Sequence, residues 1–155
     1  MIIELLLAAT MAQAAADACS APSGAFTVSS GAPFTVTWVV PATAPTSATD
    51  PTPVPNRING FNLQIDSGVK QNIGLPTAGP ACPAGTAHAG KIPYSYRTTS
   101  GVAKGSHTLS LSAWNYALDA SGNPTTTQQE SAAVSVPFAV VDLVQTGPPV
   151  PPVNV

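Results

Sequence analysis

Charge is what this sequence has least of. Five Lys or Arg and seven Asp or Glu make up 8% of its 155 residues, against about a quarter in an ordinary globular domain. The basic residues form no run, and the formal net charge is −2. Such a surface lacks the footprint that neutralises a phosphate backbone, which excludes nucleic acid as a partner. No Lys/Arg cluster marks a lipid-headgroup patch either. After residue 20 no long stretch repeats apolar residues at helical spacing, and the scarcity of Lys and Glu removes the usual material of surface helices. Nucleophile-elbow, phosphate-loop, dinucleotide and zinc-protease patterns are all missing. No loop carries the several acidic ligands that calcium needs. The expectation is a protein with no catalytic residues, no metal and no cofactor.

What the chain does have is apolar material and punctuation. Hydrophobic residues make up 44%, with 17 prolines and 12 glycines. The length fits one domain, large enough to bury its own core. With so few charges, its polar surface must come from Ser, Thr, Asn and Gln. Those residues suit pleated sheets and turns.

The first segment, residues 1–18, reads MIIELLLAATMAQAAADA. An apolar stretch from Leu5 to Ala12 runs into small residues around Ala12 and Ala14, the pattern of a secretory signal. Glu4 stands where that signal wants positive charge. Ile3, Leu7 and Met11 fall at helical spacing among good helix formers, so a retained helical anchor is the other reading. The stretch is too short to span a membrane convincingly. The anchor is the expectation and the cleaved signal its alternative. Membrane contact is expected only if this segment inserts.

Period-two alternation dominates residues 19–143. Ala25 to Ser29 is a short strand candidate. Pro33 to Val40 puts Phe34, Val36, Trp38 and Val40 on one face. Ile58 to Asp66 points Phe61, Leu63 and Ile65 inward, and Asp66-Ser67-Gly68 is a turn signal. Val69 to Ile73, Ile92 to Thr98, Gly105 to Tyr116 and Ser131 to Val141 follow, the last aligning Val134, Val136, Phe138 and Val140. Two long loops interrupt the series: Pro41 to Asn56, with five prolines, and Gly74 to Gly90, which carries Cys82. About seven short strands joined by turn-rich loops predict an all-β fold, a two-sheet antiparallel sandwich. A Pro-rich tail, residues 144–155, is expected to be extended.

Three segments resemble the fibronectin type III and immunoglobulin-like domains. PFTVTWVVP is similar to the second strand of that family, INGFNLQID to its third, and GVAKGSHTLSLSAWN to its penultimate strand. The resemblance covers roughly Ala25 to Val141. His107 departs from it, standing where the family usually has a tyrosine that pins a strand corner. The family implies adhesion, spacing or display and no shared activity.

Few residues invite a functional reading. Cys19 and Cys82 permit one disulfide, or else remain two free thiols. His88 is expected in a solvated loop, and His107 in a structural hydrogen bond. Trp114 and Tyr116 lie on the face opposite Leu109 and Leu111. Exposed, they would form a contact surface for protein or surface glycans; alternatively they pack beneath the Pro-rich loop. The functional expectation is a structural or decoration protein of a large particle such as a phage virion. It would contact other subunits through its N-terminal segment and tail. The alternative is a secreted or cell-surface adhesion or carbohydrate-binding module.

Overall fold

The computed structural model describes residues 6–9, 17–20, 25–52, 54 and 57–142. The tail expected over 144–155, and most of the segment expected over 1–18, lie outside the described residues. The fold is all-β. Nine strands are described: β1 (Leu6–Ala9), β2 (Phe26–Ser29), β3 (Thr35–Val40), β4 (Gly60–Ile65), β5 (Gln71–Gly74), β6 (Ile92–Arg97), β7 (Gly105–Leu118), β8 (Pro124–Glu130) and β9 (Val134–Val141). Among the described residues one 3-10 turn spans Asp17–Cys19.

The strands form two sheets. The smaller has the order β1-β3-β6, and the larger β2-β9-β7-β4-β5, with β8 added beside β7. All pairings are antiparallel except β2 with β9. Where the sequence suggested helix around Leu7, residues 6–9 instead pair with β3, from Leu6 opposite Val39 to Ala9 opposite Val36. A strand edge rich in backbone donors and acceptors gives these four residues a ladder, which outweighs their helical propensity.

One apolar core lies between the sheets. Val36, Trp38, Val40 and Tyr94 enter it from the smaller sheet. Phe61, Leu63, Leu109, Leu111, Ala113, Val136, Phe138 and Val140 enter from the larger. These are the alternating positions read from the sequence, and their burial follows from the pleat. Trp38 sets its edge against Phe61, with ring centroids 5.0 Å apart, and stacks on Tyr94 at 5.9 Å. Phe26, Phe34 and Phe138 form a second aromatic group, Phe26 lying parallel to Phe138 at 4.9 Å. Burial raises the Tyr94 hydroxyl pKa, opposed by a hydrogen bond with Thr46.

β3 is buried on both faces, which alternation alone does not predict. Val39 meets Ala18, Cys19 and Cys82 in a small second core. The structure joins Cys19 and Cys82 in a disulfide, with Cα atoms 5.3 Å apart. His88 also belongs to this cap. It is buried, and its backbone N–H donates to the Cys19 carbonyl at 3.1 Å. The solvated position expected for His88 is therefore corrected: the loop folds back onto β3 and covers it.

The long loop after β3 is tied down by the chain that follows it. Asn59 donates from Nδ2 to the carbonyls of Ser47 and Asp50, and Arg57 donates from Nη1 to the carbonyls of Asp50 and Thr52. Arg57 also pairs with the Asp50 carboxylate at 2.9 Å. These side chains serve the carbonyls of a segment whose prolines cannot supply N–H donors to a ladder.

Candidate functional site

β7 is the longest strand, with 14 residues. Its first half pairs with β9 and its second half with β8, so β7 and β8 form a hairpin closed at 119–123. Asp119 builds the turn. Its carboxylate accepts from the N–H groups of Ser121 and Asn123 at 2.8 and 2.9 Å, and Gly122 supplies the left-handed backbone with φ 80°. Those contacts hold the Asp119 carboxyl below the usual carboxylate range, the Asn123 N–H contributing most. Between β8 and β9 the chain bulges. Glu130 opposes Trp114 and Val134 opposes Leu111, so three residues face two. Ser131 holds the bulge, donating its N–H to the Ala113 carbonyl at 2.8 Å while its Oγ accepts from the Ala113 N–H at 3.1 Å.

Trp114 is buried, at 5% exposure, so it is not the exposed contact residue that its position opposite Leu111 allowed. Tyr116 meets it edge-on at 5.5 Å and is half-buried. The indole lies flat against Gly60 on the neighbouring strand. A Cβ added at Gly60 would meet Trp114 Nε1, Cε2 and Cζ2 at 2.5–2.6 Å. The glycine of the INGF segment thus makes room for the ring of its cross-strand partner on β7. Gly60→Ala should therefore destabilise the fold by about 1–3 kcal/mol through overpacking. Urea unfolding followed by circular dichroism measures it; an unchanged midpoint would show that the indole yields freely. With Trp114 covered, its ring offers no platform for stacking a sugar.

Beside Trp114 a polar cluster occupies the outer face of the larger sheet. The Glu130 carboxylate accepts from Ser112 Oγ and pairs with Lys70 Nζ at 2.8 Å. Burial raises the Glu130 pKa, but hydrogen bonds from Lys70, Ser112 and Asn62 outweigh it and leave the carboxyl below its usual range. Asn62 and Ser112 are themselves buried. This cluster escaped the sequence because its members come from four separate segments.

A second polar contact pins the opposite end of β7. Asp66 has left-handed backbone, φ 53°, which an Asp tolerates at a turn. Its carboxylate accepts from the Thr108 N–H at 2.8 Å and meets His107 Nδ1 at 2.7 Å. His107 Nε2 lies 2.9 Å from the Ala103 carbonyl. Both ring nitrogens face acceptors, so only the imidazolium satisfies both. The Asp66 hydrogen bond, then the Ala103 carbonyl, raise the His107 pKa above 6.5; the His107 bond, then the Thr108 N–H, lower Asp66 below 3.8. The His107 contribution is whole below its unfolded value and lost as pH rises through the raised folded value. The Asp66 contribution is whole above its unfolded value and lost as pH falls through the lowered one. The contact is therefore strongest from about pH 4 to 6.5. Melting temperature should decline as pH rises from about 6 to 9, and His107→Gln should flatten that decline. An equal decline in both proteins would assign it to other groups.

Beside the disulfide lies an open apolar cleft of about 440 Å³, lined by Pro80, Ala81, Pro83 and Pro93 with Cys19 and Thr86. Among the described residues no three His, Cys, Asp or Glu side chains are grouped to hold a metal ion. Among those residues no helix is long and apolar enough to cross a membrane. Compared with known proteins, the chain matches no family model and no curated protein sequence.

Proposed function

We propose that this chain is a non-enzymatic display and structural module with an immunoglobulin-like sandwich fold, serving as a structural or decoration subunit of a large extracellular particle such as a phage virion. The strand connectivity supports the sandwich reading. β1, β3 and β6 correspond to strands A, B and E of that architecture, and β4, β7 and β9 to C, F and G, with β5 as an added C′ strand. The observation that carries the functional reading is the β7–β8 hairpin. It extends one strand of a pinned two-sheet body beyond its β9 partner and ends in a turn held by the Asp119 carboxylate and by the Asp119–Asn123 and Gly122–Asp119 backbone bonds. Such a rigid arm suits contact with a neighbouring subunit. The pairing of Leu6–Ala9 with β3 favours an N-terminal segment that stays with the domain.

The disulfide favours a second reading, a secreted or cell-surface adhesion module, because such bonds persist in oxidising surroundings. Two measurements on native material separate the readings. Proteomics of purified particles should find the chain at stoichiometric abundance, and its intact mass should include residues 1–14. A free protein in the medium, lacking that segment, would overturn the particle reading and favour the adhesion module.

A further inference from the structure

The stretch between β3 and β4 combines proline with hydroxyls. Residues 41–52 read PATAPTSATDPT, with four threonines, one serine and three prolines. Segments of Ser and Thr interleaved with Pro are acceptors of O-linked sugar, because proline keeps the backbone out of ladders and open to solvent. Attachment through nitrogen is closed to this chain. Its one Asn-x-Ser/Thr sequence is Asn123-Pro124-Thr125, and the central proline bars it.

The structure sorts the hydroxyls of this stretch into two sets. Thr46 shares a hydrogen bond with the buried Tyr94. Ser47 is half-buried, its Oγ accepting from the Asp50 N–H at 2.9 Å. Thr52 hydrogen-bonds the Asp50 carboxylate, which also pairs with Arg57 at 2.9 Å. Those three hydroxyls serve the fold. Thr43 and Thr49 are exposed, and among the described residues their hydroxyls take no hydrogen bond. Each stands two residues from a proline. The ties from Asn59 and Arg57 to the carbonyls of Ser47, Asp50 and Thr52 hold the stretch in one shape, with these two threonines facing solvent. A neutral sugar there supplies hydration to a chain with only 8% charged residues.

We infer that Thr43 and Thr49 are acceptors for O-linked neutral sugars. In the transfer, threonine Oγ1 bonds to the anomeric carbon of a phosphate-activated sugar as that carbon's bond to the phosphate oxygen breaks. The hydroxyl proton passes to a base of the transferase, and the phosphate departs with the bonding pair. Nothing is oxidised or reduced. The inference goes beyond the proposed setting, since it needs a transferase and its activated sugar rather than a particle.

Intact mass spectrometry of the protein from its native source tests it. A ladder of masses spaced by whole sugar residues is expected. Fragmentation that leaves the sugar in place should map it to Thr43 and Thr49, with Thr46, Ser47 and Thr52 bare. The Thr43→Val/Thr49→Val double variant, made in the same cells, should lose the added mass entirely and keep the wild-type circular dichroism. Should that variant fold poorly, the wild-type map decides alone. Loss of residues 1–14 would shift the mass by a peptide increment instead, so this inference and the proposed function fail separately. A native chain at its bare polypeptide mass, sugar on neither Thr43 nor Thr49, or an added mass that the double variant retains, overturns the inference.

Discussion

Removing the Cys19–Cys82 disulfide should lower the stability of the domain by about 4 kcal/mol. The bond joins residues separated by 63 positions, and closing a loop of that length restricts the unfolded chain by roughly this amount in the chain-entropy account. A second effect acts in the folded state. Cys19 and Cys82 are the middle of the small core that covers Val39, itself 1% exposed. Without the bond, the apolar contact still sets Ala18 and Cys19 against β3, and the His88 N–H ties Cys19 to the loop before β6. Urea unfolding of the oxidised protein and of the Cys19→Ala/Cys82→Ala double variant gives the difference directly. Reduction of the wild type should reproduce it. A difference below about 1 kcal/mol would mean that the unfolded chain is already compact around this loop.

Trp38→Ala should cost about 3–5 kcal/mol, the range for emptying a large aromatic site. Trp38 is 0% exposed and touches both Phe61 and Tyr94, which come from opposite sheets. Its loss leaves a void that neither sheet can close without moving the other. Trp38→Phe should cost less. The phenyl ring keeps part of the volume, and the Trp38 indole N–H, buried without a hydrogen-bond partner among the described residues, is removed. Chemical unfolding of both variants checks the order. Equal losses would mean that indole volume, rather than any unpaired N–H, sets the cost.

The inward faces were legible because one rule, alternation, governs them. Phe34, Val36, Trp38 and Val40 could be assigned together, as could Val134, Val136, Phe138 and Val140. β8 was not legible for the same reason: PTTTQQE is polar on both faces, so it carries no alternating signal, and no strand was expected there. Val39 and Thr37 alternate with that inward face and are nonetheless buried, Val39 because covering residues arrive from positions 18–19 and 82. Period two reports which side a residue takes, but not whether something distant lies over that side. Trp114, for which exposure and packing were both open, shows the same limit. It lies on the outer face, and burial came from Gly60 and Tyr116, whose approach depends on sheet geometry.

The link between the first described turn and the loop before β6 also gives the molecule the topology of a closed ring. β2, β3, β4 and β5 all lie within the span it encloses. A protease that cuts once in the proline-rich stretch after β3 would open the ring without releasing a fragment. The nicked chain would remain a single covalent body, with both sheets assembled, until a reductant reached the sulfur pair. One cut would then leave a scar rather than a loss.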